Sequence, residues 1–236
     1  MSVSDVLDDW LRSPAPAVIF DFNGTLSDDE PILFDIFGAL FSQRLGWTMT
    51  ADEYRDRLLG RSDREIITYA VTTHGHGGDE QIRDLLELRQ REYQRRVAEH
   101  NPITEHTAGL VDVLAEAGFP LAIVTGAQRD DVAAVLRHSA VGPLFGLLIA
   151  EEDVANGKPH PEGYLAAARI LDRRPQDVLV FEDSVPGVQA ALAAGMHCIA
   201  VAANPSPELA ACAPAIVGAL TAAVVEDALS HRRRAR

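Results

Sequence analysis

Three short apolar runs punctuate the chain, and each ends on polar residues. Ala17-Val18-Ile19-Phe20 runs into Asp21, Leu121-Ala122-Ile123-Val124 into Thr125, and Val178-Leu179-Val180-Phe181 into Glu182 and Asp183. None alternates apolar with polar, as a half-exposed strand would. Unbroken runs rich in Val and Ile and bounded by Gly or Pro predict strands buried on both faces of a parallel sheet. Between and after them the spacing turns helical, over 106–118, 128–138, 161–171 and 186–195, and residues 197–201 predict a further strand. Alternating strands and helices predict an α/β fold, a doubly wound, Rossmann-like parallel sheet. Ligands of such sheets bind beyond the carboxyl ends of the strands, so all three polar endings are expected at one crevice.

Residues 30–100 break the alternation. Asp28, Asp29 and Glu30 lead into Pro31, a helix start with acids in its first turn. Thr50 with Glu53, and Ser62 with Glu65, have capping-box spacing. Asp79 opens a long helix with Ile82, Leu86, Tyr93 and Val97 near helical spacing, and with Glu87–Arg91 and Glu92–Arg96 as i,i+4 pairs. The expected organisation is an α/β core from 1–29 and 101–236, interrupted by a small helical domain, 30–100.

Composition narrows the function. Apolar residues make up 47% and charged residues 24% of 236 positions, ordinary values for a globular protein. The balance of 21 basic against 35 acidic residues gives a net charge of -14, which repels phosphate backbones and anionic lipid. Neither nucleic acid nor a membrane surface is an expected partner, and the short basic tail Arg232-Arg233-Arg234-Ala235-Arg236 reads as a solvated end. Two cysteines make no disulfide framework, no apolar run has the length of a membrane span, and the first residues lack a signal peptide's order, so a cytoplasmic location is expected. The subunit number is not legible. One oddity stands out: of the 21 basic residues, Lys158 alone is lysine.

The strand ends carry the chemistry. In Asp21-Phe22-Asn23-Gly24-Thr25-Leu26 a carboxylate leaves the sheet on a tight glycine turn with a hydroxyl close behind, although an acid there also serves simply to cap a loop. Thr125-Gly126 offers a hydroxyl and backbone N–H groups suited to phosphate oxygens. Lys158 lies in Gly157-Lys158-Pro159-His160-Pro161, a stiff loop before a helix. Glu182-Asp183-Ser184, followed by Gly187, supplies hard oxygen ligands of the kind Mg²⁺ takes, and also a helix cap.

The four sites in this order, with a helical insertion after the first, resemble the haloacid dehalogenase superfamily. The stretch from Gly157 to Tyr164, with Phe181-Glu182-Asp183-Ser184 and Gly187, is most similar to its β-phosphoglucomutase-like and phosphoglycolate-phosphatase-like members with a helical cap. The resemblance implies that Asp21 takes the phosphoryl group of a small phosphorylated metabolite as an aspartyl phosphate. It implies that Mg²⁺ is held by Asp21, the backbone carbonyl of Asn23 and Asp183, with Glu182 in support. Lys158 would neutralise remaining charge, and Thr125 with the amides of Gly24, Thr25 and Gly126 would hold phosphate oxygens. Arg61, in Gly60-Arg61-Ser62 of the insertion, matches a specificity loop in relatives, though it also reads as a solvated helix-start arginine.

One position departs from the pattern. Most phosphatases of the family carry a second Asp where this chain has Asn23, and an amide neither gives nor takes a proton at neutral pH. The phosphatase expected is therefore slow or confined to good leaving groups. Two alternatives stay open: a phosphometabolite-binding or regulatory protein with impaired catalysis, and a phosphomutase-like member. The Schiff-base phosphonatase branch needs a lysine in the cap, and 30–100 has none. The metal-free dehalogenases typically carry an aromatic residue at the position of Asn23. His74-Gly75-His76-Gly77-Gly78 has no further ligands nearby and reads as a loop, not a metal motif.

Overall fold

The computed structural model describes residues 1–59 and 61–234, without the side chains of Arg233 and Arg234. Gly60 and the tail residues Ala235 and Arg236 lie outside the described residues. The chain forms two compact units, one of residues 1–28 and 103–236 and the other of residues 29–102.

The first unit is built on six parallel strands: β1 (Ala17–Phe20), β2 (Leu121–Val124), β3 (Phe145–Ile149), β4 (Val178–Glu182), β5 (His197–Val201) and β6 (Ile216–Val217). Their order is β3-β2-β1-β4-β5-β6, so the chain steps outward from β1 to β3 and then returns to the far side of β1. That reversal puts β1 between β2 and β4, with Phe20 beside Ile123 on one side and Phe181 on the other. Every residue of β1, β2 and β4 is buried, which is why those runs carry no polar alternation.

Two strands escaped the sequence pattern. β3 forms the sheet edge, and its exposed Gly146 breaks the apolar run; β6 is two residues long. Helix α1 (Val3–Leu11) was not predicted either. Ser2 and Asp5 cap it reciprocally, and it buries Val6, Leu7 and Trp10. The Trp10 indole N–H, inside the core, donates to the carbonyls of Ala17 and Asp177, both at 3.2 Å. Helices α6 (Glu105–Glu116), α7 (Arg129–Arg137), α8 (Glu162–Ile170) and α9 (Val185–Ala193) fall within a few residues of the predicted spans, and α10 (Pro207–Cys212) and α11 (Ala223–Arg234) complete the unit. No helix among the described residues is long and apolar enough to cross a membrane.

The second unit holds α2 (Glu30–Leu45), α3 (Ala51–Arg57), α4 (Asp63–His74) and α5 (Gly78–Glu99). Both capping boxes form, Thr50 with Glu53 and Ser62 with Glu65. The buried stripe of α5 runs through Ile82, Leu85, Arg89, Tyr93 and Val97, so Leu85 and not Leu86 enters the core. Arg89 is tolerated there because its guanidinium pairs with Asp63 at 2.9 Å and lies 4.7 Å from the centre of the Tyr93 ring. Of the two i,i+4 pairs, Glu92–Arg96 forms at 2.9 Å, whereas Arg91 turns to the backbone carbonyl of Glu87.

Candidate active site

Parallel pairing brings the polar strand ends together. The Asp21 N–H continues the ladder by donating to the Phe181 carbonyl at 2.9 Å, which sets Asp21 beside Glu182 and Asp183. After Asp21 the chain folds into a tight turn: the Ser27 N–H donates to the Phe22 carbonyl and the Gly24 N–H to the Ser27 carbonyl, both at 2.8 Å. Gly24 is required twice over. Its φ of +76° is left-handed, and a Cβ there would lie 2.3 Å from Asp183 Oδ2. The Thr25 hydroxyl donates to Asp183 Oδ1 at 3.2 Å, so the turn and the end of β4 are tied directly.

Ligand oxygens of Asp21, Glu182 and Asp183 lie within 4.8 Å of one another. A single ammonium sits among them. Lys158 donates to Asp21 Oδ1 and, at 2.5 Å, to Glu182 Oε1, while its Nζ stands 5.3 Å from the centre of the Tyr164 ring. Both oxygens of Glu182 are engaged: Oε1 by Lys158, with the Tyr164 hydroxyl at 3.5 Å, and Oε2 by the Ser184 N–H and hydroxyl at 2.7 and 2.9 Å. Ser184 in turn caps α9 by accepting from the Gly187 N–H at 3.1 Å. Glu182 is therefore an anchor for Lys158, with its lone pairs already turned to protein donors.

The electrostatics follow from three carboxylates sharing one cation in a buried place. Burial pushes the Asp21 carboxyl up to about 7, with Glu182 adding to the rise and Lys158 opposing it. Asp183 is raised well above the carboxylate range by burial and by the charges of Asp21 and Glu182. Burial works against the Lys158 ammonium, but the two carboxylates outweigh it and hold its pKa well above normal. A divalent cation bound to Asp21 and Asp183 would relieve this excess of negative charge, and the donors, all hard oxygens, suit Mg²⁺. The residues present fit the ion.

Thr125 follows β2, the strand adjacent to β1, and is buried. Its hydroxyl accepts from the Ala127 N–H at 3.0 Å, which leaves the hydroxyl proton to donate outward. Thr125, Gly126 and Lys158 also line a cavity of about 290 Å³ with Val154, Gly163 and Tyr164. Asn23 lies in the turn, paired across it with Ser27. Arg61 belongs to the second unit, where it is exposed between α3 and α4. The structure thus gathers Asp21, Gly24, Thr25, Lys158, Glu182 and Asp183 by direct contact or close approach, with Thr125 just past the next strand. The Gly24 and Thr25 N–H groups, expected at phosphate oxygens, instead donate to the Ser27 and Phe22 carbonyls, because the tight turn needs them. Sequence reasoning gave no role to Tyr164, whose ring flanks Lys158; nothing in the local pattern distinguishes it from any other buried helical tyrosine.

The acid after the central strand β1, the lysine against it and the further acids at the end of the adjacent strand make one polar site at the carboxyl edge of the parallel sheet. Residues 18–201 match the haloacid dehalogenase-like hydrolase family, and the chain belongs to that family, in its helical-cap branch, as a phosphatase-like hydrolase. It is 31% identical over 189 residues to protein CbbY of Rhodobacter capsulatus, covering 78% of this chain and 83% of that one. It is 30% identical over 187 residues to the phosphorylated carbohydrates phosphatase of Thermotoga maritima, again covering 78% of this chain and 83% of the relative. Among solved structures, CbbY from Rhodobacter sphaeroides in complex with phosphate superposes with a TM-score of 0.74 at 27% identity, covering 87% of this chain and 95% of that one.

Proposed function

We propose that this protein is a Mg²⁺-dependent phosphohydrolase of a small phosphorylated metabolite, working in the cytoplasm, with Asp21 as nucleophile. The observation that carries the proposal is the Asp21 carboxylate paired with Lys158 and lying with Asp183 in one cluster, their ligand oxygens within 4.8 Å. Asp21, the Asn23 carbonyl and Asp183 would hold the ion, Glu182 standing behind them through Lys158. The bound ion supplies Lewis-acid charge neutralisation, which lets one anion approach another.

The chain's own groups do the rest. Lys158 fixes one oxygen of Asp21 and leaves the other to attack phosphorus. The Thr125 hydroxyl and the Gly126 N–H orient the equatorial oxygens, and Lys158 balances charge as the Asp21–phosphorus bond forms and the leaving group departs. Water then attacks phosphorus and frees Asp21. The finer reading concerns protons. Asn23 supplies none, the Thr25 hydroxyl is committed to Asp183, and Lys158 keeps its proton. Leaving groups must depart as anions, so acyl phosphates and anhydrides are favoured over sugar phosphates, and the aspartyl phosphate is long-lived.

The test is a panel of phosphorylated metabolites, acyl phosphates included, assayed with Mg²⁺ and with chelator. Turnover that requires Mg²⁺ and vanishes in Asp21→Ala supports the proposal; turnover that survives either change overturns it. The Asn23 amide favours a second reading, a phosphometabolite-binding protein, which predicts saturable binding of panel members with no phosphate release. A phosphomutase-like activity would instead appear as an isomeric phosphate product.

A further inference from the structure

Lys158 needs a loop that delivers its ammonium to one spot, and the sequence around it is stiff on one side alone. Pro159 and Pro161 follow it, and the His160 N–H closes a turn on the Gly157 carbonyl at 3.0 Å. On the other side stands exposed Gly157, whose Cβ position is open, so no side chain of its own anchors the chain there. The restraint comes from Glu162. Its Oε1 accepts from the Ala155 N–H at 2.8 Å, and its Oε2 accepts from the Asn156 N–H at 3.1 Å and the Asn156 side-chain amide at 2.8 Å.

Glu162 is the first residue of α8, where an acid would normally serve the helix's own unpaired N–H groups. Here both oxygens reach back across Lys158 to the loop before it. We infer that Glu162 is a positioning residue, a clamp that fixes residues 155–157 so that Lys158 meets Asp21 and Glu182. It touches none of the reacting groups. For catalysis this inference rests on the function proposed above; for geometry it does not.

The chain's single lysine makes the clamp measurable without any substrate. Acetylation of Lys158 by acetic anhydride, followed by peptide mapping to set aside the N-terminal amine, reports how firmly the ammonium is held. In the native protein it is buried and doubly paired and is expected to react slowly. Glu162→Ala is expected to raise the rate at Lys158 at least about tenfold with the protein still folded by circular dichroism. Glu162→Gln keeps the reach but only one acceptor oxygen, its NH2 facing an N–H donor, and Asn156→Ala removes one of the three bonds, so both should fall between wild type and Glu162→Ala. With acetyl phosphate and Mg²⁺ as the activity probe, Glu162→Ala should lose kcat with KM little changed. An unchanged acetylation rate in folded Glu162→Ala overturns the clamp, as does a Glu162→Gln rate equal to that of Glu162→Ala. Wild-type protein with no turnover, but with the expected acetylation pattern, overturns the proposed function and leaves the clamp standing.

Discussion

Gly187 is the position where one added carbon should do most damage. A Cβ there would stand 1.6 Å from Glu182 Oε1 and 2.4 Å from Oε2, so the carboxylate has to swing away. Glu182 is fully buried, and leaving its place breaks the bonds to Ser184 and to Lys158 together. Breaking a buried charge pair costs about 3–5 kcal/mol. Alanine in place of glycine near the start of α9 returns at most about 1 kcal/mol of helix propensity. Gly187→Ala should therefore lose about 2–4 kcal/mol, a drop in Tm of roughly 5–15 °C for a chain of this size. Gly38→Ala is the matched control: it lies inside α2 with nothing within 4 Å of its Cβ position, and should be neutral or stabilising by up to about 1 kcal/mol. Thermal melts of both variants by circular dichroism decide the matter. A Gly187→Ala protein melting at or above wild type would refute the reasoning that Glu182 is locked between α9 and Lys158.

Three further outcomes are expected. Asn23→Asp should raise hydrolysis of phosphate monoesters at least about tenfold by supplying an acid and base; because Asn-Gly sequences deamidate, peptide mapping must show Asn23 intact in the wild type, and equal rates for the two intact proteins would count against the leaving-group argument. Lys158→Arg should lose most activity although every other cation in the chain is arginine, because a planar guanidinium does not fit the point-like place between Asp21 and Glu182; wild-type kinetics would refute this. The Arg95 and Arg96 hydrogen bonds depress the Glu92 carboxyl to about 2, below its unfolded value, so the stability it contributes is present above about pH 4.5 and is lost as pH falls towards 2. On a helix surface that contribution is about 1 kcal/mol or less; Glu92→Gln should flatten the acid limb of the stability curve over that window, and an unchanged limb would show the network contributes nothing.

The sequence by itself determined the frame. Four central strands were legible because burial on both faces leaves no room for polar alternation, and Asp21, Thr125 and Glu182 were legible because each interrupts an apolar run where a strand must end. The capping boxes at Thr50 and Ser62 were legible because they are local, closed within three residues. The edge strands β3 and β6 were not: with one neighbour each and partly exposed residues, they carry weak patterns. Nor does local sequence say that Glu182 spends both its oxygens on Lys158, Tyr164 and Ser184, that Glu162 faces the loop instead of its own helix, or that Gly187 is a glycine because a carboxylate occupies its Cβ position. The contacts of Lys158 and Tyr164 with Glu182 are decided by how distant elements pack, and the others, though local, depend on side-chain directions that no periodic pattern encodes. Hydrophobic burial acts on one element at a time and is written along the chain, whereas hydrogen bonds and charge pairs need two partners, and only the packed sheet brings Asp21 and Lys158 together across more than a hundred residues.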